Sequence, residues 1–172
     1  LDIEVTAVER DEVTAAIASF NLAPWSNARV EHADACEFDL SGMDGVYLDP
    51  ARRNASRRLS DPADWSPSLD FAFGLAERLP DGVKLGPGID RDLIPDEAEA
   101  QWVSVGHDVV EVGVWFGALA RPGQFALTNA RRVVGARAAC DSGYASARPN
   151  RRRGLHRLPG GRRFRAVLSV QS

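Results

Sequence analysis

A parallel α/β sheet is the fold this sequence predicts, and three observations carry the prediction. Apolar, β-branched segments alternate with stretches of good helix formers over the first three quarters of the chain. Residues 46–48 (Val-Tyr-Leu) run without interruption into Asp49-Pro50-Ala51-Arg52-Arg53. A strand covered on both faces reads this way when its carboxyl end opens into a crevice. Finally, Glu9, Asp34 and Asp49 each follow a predicted strand directly, on the sheet edge where α/β proteins hold their ligands.

The elements follow in order. Residues 1–9 alternate and carry β-branched side chains, which predicts a strand ending at Glu9. Residues 11–20 are helix formers with Val13, Ile17 and Phe20 on one face, read as the core face. Residues 29–31 make a short strand with an exit turn through Asp34. Residues 39–44 lead into the strand at 46–48. Pro50 fixes its own φ and keeps Asp49 extended, so the carboxylate is held at the strand tip. A polar loop over 53–64 precedes a helix predicted over 66–78, with Leu69, Ala72, Phe73 and Ala76 sharing a face. Residues 82–85 form the next strand, closed by Gly86-Pro87-Gly88, and a helical turn is predicted at 91–94. Residues 100–105 and 124–128 read as strands. The segment 109–119 is apolar enough for either a strand or a buried helix, and both stay open.

A chain of 172 residues is long enough for one domain with a real core. Its apolar and charged fractions are ordinary for a soluble globular protein. No apolar run approaches the roughly 20 residues of a membrane span, and no secretory signal opens the sequence. The two cysteines, Cys36 and Cys140, match no metal or redox spacing and fit a reducing cytosol, with Cys36 read as a small core residue. His32, His107 and His156 are scattered, so no metal is expected.

The net charge of −3 hides a split. Residues 1–130 carry 10 Lys and Arg against 23 acids, whereas residues 131–172 carry 11 Arg and one acid, Asp141. The division suggests a body over 1–130 and an irregular Arg-rich tail over 131–172. That tail has no Lys and is dominated by Arg, Ala, Gly, Ser and Pro. Three origins fit it: a disordered basic arm for nucleic acid, a packed segment, or GC-rich codons read out of frame.

The strand-end acids carry the chemistry. An acid after the second strand of a nucleotide-binding unit accepts both hydrogens of a ribose diol, which suits Glu9. Asp34, one strand on, suits an adenine amino group. Taken singly, each acid is commonly a helix cap or turn residue; three in strand order point to a nucleoside cofactor. The carboxylate of Asp49, the rigid carbonyl of Pro50 and the guanidinium groups of Arg52 and Arg53 suit a substrate with amino groups near phosphates. Asp61 and Asp64 are alternative partners for those arginines.

In order and spacing, Glu9, Asp34 and Asp49-Pro50-Ala51-Arg52 resemble successive motifs of class I S-adenosylmethionine-dependent methyltransferases. Residues 48–53 (Leu-Asp-Pro-Ala-Arg-Arg), 83–90 (Val-Lys-Leu-Gly-Pro-Gly-Ile-Asp) and 99–104 (Glu-Ala-Gln-Trp-Val-Ser) look most like bacterial members that carry a C-terminal THUMP-like domain. The likeness covers about residues 1–130 and fails from Arg131 onward. It implies a Rossmann-like sheet whose first strand and glycine-rich loop would precede residue 1, so that the chain reads as an N-terminally truncated, inactive fragment. The vacancy would lie between the strands ending at Glu9 and Asp49, leaving backbone donors and apolar surface open.

The resemblance further implies methyl transfer from S-adenosylmethionine to a nitrogen of an RNA base. Glu9 and Asp34 would hold the cofactor, Asp49 and Pro50 would serve the target nitrogen, and Arg52, Arg53 and Lys84 would meet the RNA. Trp65, Trp102, Trp115 and Phe116 are candidates for base stacking or, more simply, for core packing. Two rivals remain: a non-catalytic RNA-binding scaffold or pseudoenzyme, and a nicotinamide-dependent Rossmann oxidoreductase. The latter would give Asp49-Pro50 no role.

Overall fold

Alternating β-branched residues make Ile3–Glu9 a strand, β1, and Asp11 then starts helix α1 (Glu12–Leu22). The Asp11 carboxylate accepts the Thr14 N–H at 2.8 Å, which satisfies one of the amide donors orphaned in a first helical turn. β2 (Ala28–His32) and β3 (Gly45–Asp49) follow. Ser68 caps α2 (Leu69–Gly74), which tightens into a 3-10 turn at Leu75–Glu77 before β4 (Asp81–Leu85). Next come β5 (Glu99–Val105), β6 (Asp108–Trp115), β7 (Gly123–Thr128), β8 (Gly135–Arg137) and β9 (Phe164–Val170). This computed structural model describes residues 3–52, 59, 61–106, 108–121, 123–128, 135–137 and 164–170. The chain divides into two units, Leu1–Val83 with Arg157–Ser172, and Lys84–His156.

In the first unit the strand order is β2-β1-β9-β3-β4, and every neighbouring pair is parallel. The C-terminal strand thus fills the position between β1 and β3 that the sequence reading leaves vacant. Ile3 stands opposite Phe164 and Gly45 opposite Ala166, so both edges of β9 are paired. The expectation of a wholly irregular tail is corrected: residues 164–170 (Phe-Arg-Ala-Val-Leu-Ser-Val) form a short apolar strand within an Arg- and Gly-rich background.

Polar contacts fix the entry of β9. The Arg165 N–H donates to Asp44 Oδ2 at 2.9 Å, and the Asp44 N–H donates to the Arg165 carbonyl at 2.7 Å. The Arg165 guanidinium reaches Glu4 on β1 at 3.9 Å. Gly42 turns the chain ahead of β3 with φ +76°, and a Cβ there would sit 3.3 Å from that guanidinium.

Parallel register places equivalent residues on one face. Thr6, Val8, Val46, Leu48, Asp81, Val83, Val167 and Ser169 share such a face and are all buried. Ala7, Tyr47 and Leu168 lie on the other.

Helix α1 packs on β1 and β2, but with the face opposite to the one expected. Ala15 is its buried residue, flanked by half-buried Thr14, Ala18 and Leu22. Small side chains let the helix approach the sheet closely, while Val13, Ile17 and Phe20 point outward, Phe20 being 81% exposed. The helix predicted over 66–78 is shorter than expected. The chain enters through Ser66 and Pro67, and the α-helical hydrogen bonding gives way to a 3-10 turn at Gly74.

In the second unit the order is β6-β5-β7-β8. β5 and β6 form an antiparallel hairpin through Gly106, whose φ of +66° suits glycine. β7 runs parallel to β5, and β8 antiparallel to β7. The sheet is therefore mixed, not wholly parallel. Segment 109–119 resolves as strand β6 followed by a 3-10 turn at Gly117–Leu119. Val112, Val114 and Phe116 are buried while Glu111, Gly113 and Trp115 between them are less so, a period of two that only a strand delivers.

At the base of β5, Glu99 is 2% exposed and receives the Arg121 backbone N–H at 2.6 Å and its guanidinium at 2.7 Å. Burial pushes the Glu99 carboxyl up, but these bonds and the one from Gln101 outweigh it and hold the group below its ordinary range. Arg91, in a 3-10 turn at Arg91–Leu93, lies over the Trp102 ring at 4.9 Å. Among the described residues no helix is long and apolar enough to cross a membrane.

Two outcomes are expected from these contacts. Leu168→Pro removes a ladder hydrogen bond from a central strand, so urea denaturation followed by tryptophan fluorescence should show a loss of at least about 2 kcal/mol. An unchanged midpoint would mean that β9 does not pair. Arg121→Ala strips the buried Glu99 carboxylate of its cation, at a cost on the order of 2 kcal/mol near neutral pH. Because the Glu99 pKa is lowered by folding, that contribution is present above 4.5 and fades as pH falls below it.

Candidate functional site

The carboxyl ends of the first unit's strands gather the residues singled out in the sequence. Val8 stands opposite Ser169, and Asp49 opposite Val170, so Glu9 and Asp49 flank Val170 at one level. They share a face, two strands apart, which is about 10 Å. Glu9 pairs with His32 on β2, and the Ala33 N–H donates to the Glu9 carbonyl at 3.1 Å. Asp34 therefore sits just beyond the tip of β2, beside the β1–α1 turn.

Glu9 is 4% exposed, unusual for a carboxylate at a strand tip. Its Oε1 accepts the Asp11 N–H at 2.8 Å, which ties the side chain to the start of α1. Its Oε2 is buried with no hydrogen-bond partner among the described residues. A buried acceptor left unsatisfied costs about 1–3 kcal/mol, so this oxygen is ready to accept from a ligand hydroxyl.

Asp34 is more heavily engaged. Its Oδ1 accepts the Cys36 N–H at 2.8 Å in a tight turn, and its Oδ2 lies 3.7 Å from the Arg10 guanidinium. The His32 ring bonds the Arg10 carbonyl through Nε2 at 3.0 Å, so the imidazole carries its proton there. Arg10 and His32 thus knit the tips of β1 and β2 together, and neither was singled out in the sequence. Only the adjacency of Arg10 to Glu9 could have suggested it.

Cys36 is exposed rather than a core residue, because the turn made by Asp34 directs it outward. Burial of the sulfur and then the Asp34 charge raise its thiol above the ordinary value.

Beyond β3, Asp49 is half-buried and Pro50 buried. Ala51 and Ser66 exchange backbone hydrogen bonds of 2.8 and 3.1 Å, and the Leu59 N–H donates to the Arg52 carbonyl at 2.8 Å. Trp65 Nε1–H donates to the Leu59 carbonyl at 3.3 Å, so this indole braces the loop. Arg52 is half-buried at the loop's mouth, whereas Arg53 lies outside the described residues. Lys84, also half-buried, is the first residue of the second unit. Trp102 carries Arg91, and Trp115 lies against Gly113 on its own strand. Among the described residues no cluster of three or more His, Cys, Asp or Glu could hold a metal ion.

A buried carboxylate oxygen without a partner among the described residues at one strand tip, and an oriented carboxylate at the next, could hold hydroxyl and amino donors such as those of a nucleoside.

The architecture defines an α/β protein with a mixed sheet and acid-tipped parallel strands. No family model, curated protein or solved structure matches the chain.

The Asp34–Cys36 contact yields a direct expectation. In a Cys140→Ser background, Asp34→Asn removes the charge that raises the Cys36 thiol, so alkylation at mildly alkaline pH should accelerate severalfold. An unchanged rate would mean that the carboxylate does not act on the sulfur.

Proposed function

We propose that this protein binds S-adenosylmethionine at the β1 and β2 tips and transfers its methyl group to a nitrogen of an RNA base. The observation that carries the reading is the buried Oε2 of Glu9, without a partner among the described residues, at the tip of a parallel strand. The sequence blocks at residues 48–53, 83–90 and 99–104 support it, as does the level placement of Glu9 and Asp49.

When bound, the cofactor supplies an electrophilic methyl group on a sulfonium. Glu9 Oε2 accepts a hydrogen bond from a ribose hydroxyl, and its anchored Oε1 fixes the direction of that bond. The Asp34 carboxylate, oriented by Cys36 N–H and Arg10, accepts from the adenine amino group. Asp49 and the Pro50 carbonyl accept from the target nitrogen, turning its lone pair into the crevice. Asp49 then takes the proton released as that nitrogen becomes bonded to carbon. Arg52 meets the RNA backbone.

A second reading, a nucleotide-binding scaffold without catalysis, is favoured by one observation. The central position, which in the methyltransferases it resembles belongs to the strand that leads into the glycine-rich loop, is taken here by β9.

Calorimetric titration with S-adenosylhomocysteine tests the shared part of both readings. Binding should weaken at least about tenfold in Glu9→Ala, the equivalent of one hydrogen bond to a charged group. Asp49→Asn should leave that affinity intact and abolish methyl transfer to RNA. No binding by the folded protein would sink both readings; binding without transfer would select the scaffold.

A further inference from the structure

Asp81 opens β4 at the end of the strand opposite the candidate site, and it is 0% exposed. Neither carboxylate oxygen has a hydrogen-bond partner among the described residues. Register shows its surroundings. Asp81 stands opposite Val46, Val46 opposite Val167, and Val167 opposite Thr6. The next layer on the same face is Val83, Leu48, Ser169 and Val8, all 0–1% exposed. No charged group stands in either layer. The charged residues just before β4, Glu77 and Arg78, are exposed. Burial without a charged partner among the described residues disfavours the ionised form of this carboxyl strongly.

We propose that Asp81 is a proton-operated lock on the β3–β4 pair. As the neutral acid it lets the entry end of β4 stay shut within the apolar layer. As the carboxylate it draws water in and opens that end. The gate is local: the Val46 N–H donates to the Pro80 carbonyl at 3.0 Å beside Asp81, and this bond reports whether the entry end is closed. Asp49, the proposed proton acceptor, lies three residues along β3 from Val46, so opening loosens the strand that aims it.

The electrostatics agree with the geometry. Burial pushes the Asp81 carboxyl up from 3.8 to about 7. The Gly82 N–H pulls the other way without reaching hydrogen-bonding geometry, and no charged side chain takes part. An acid whose pKa is raised by folding holds its proton longer in the folded state. Its contribution to stability is complete below the unfolded value near 3.8 and declines as pH rises. The loss runs from about pH 4 to about pH 7 and levels off above the folded value. A shift of about three pKa units corresponds to about a thousandfold change in the unfolding constant across that window.

The test is amide hydrogen exchange at Val46 in the full chain, corrected for intrinsic rates, together with denaturant unfolding from about pH 4 to about pH 9. In the wild type, Val46 protection should fall and the unfolding constant rise, by up to about a thousandfold, as pH increases to about 7. In Asp81→Asn, which cannot ionise, the fall in Val46 protection with rising pH should vanish while protection of the β5–β6 hairpin is unchanged. Parallel pH profiles in the two proteins would overturn the proposal. Should Asp81→Asn fail to fold, carboxyl NMR of the wild type labelled at aspartate decides the question. One aspartate titrating near neutrality supports the lock, and all aspartates titrating below about pH 5 refutes it. The lock does not depend on the cofactor reading, since neither measurement requires ligand.

Discussion

The pairing of β9 with both β1 and β3 is the constraint on which the first unit rests. A parallel strand without neighbours exposes a row of amide and carbonyl groups that must be satisfied once buried. β9 satisfies two such rows at once, since its register runs from Ile3 to Val8 on one side and from Gly45 to Asp49 on the other. Asp44 and Arg165 fix that register at the entry by exchanging two hydrogen bonds. A slip of one residue would send Val167 and Ser169 to the opposite face and break the apolar layer they complete. The level alignment of Glu9 with Asp49 thus follows from contacts made at the far end of the strands.

The two ends of this sheet treat carboxylates in opposite ways. At the carboxyl end, Glu9 is buried yet anchored through one oxygen, and Asp34 is held by a backbone N–H and an arginine. These groups are oriented and retain acceptor capacity. At the entry end, Asp81 is buried with no hydrogen-bond partner among the described residues. Backbone geometry underlies the contrast. Strand tips are followed by turns whose N–H groups point back at the preceding acid, whereas the first residue of β4 is enclosed by neighbouring strands. The second unit offers a third solution, in which Glu99 sits as deep as Asp81 but carries its own arginine.

Much of the α/β pattern was legible from periodicity. β1, β2, β3, β4, β5 and β7 fall where β-branched runs and turn residues put them, because those signals are local. The face of α1 was misread: Val13, Ile17 and Phe20 form the more apolar stripe, but close approach to the sheet selects the smaller Ala15 and Ala18. β9 was missed because composition around it is dominated by arginine and glycine, and its partners lie far away in sequence. Of the candidate site, the tip acids were legible one by one, since each follows a strand. The Arg10–Asp34 and His32–Arg10 contacts were not, as they depend on how two strands align. Asp81 carries no local mark of its burial at all, because an acid ahead of Gly-Val-Lys-Leu reads as an ordinary turn residue.

The distance between β9 and its partners also bears on how the chain is made. Ile3 and Phe164 are register partners across nearly the whole sequence, so local contacts cannot bring them together. During synthesis at roughly 5–20 residues per second, β1 and β3 leave the ribosome on the order of ten seconds before residues 164–170. For that interval their inner edges face each other across a gap with no strand in it. The second unit, whose hairpin closes over neighbouring residues, can form meanwhile. Until β9 emerges, the nascent chain therefore carries these strand edges unsealed, and a chaperone that shields exposed strand edges would act in that window.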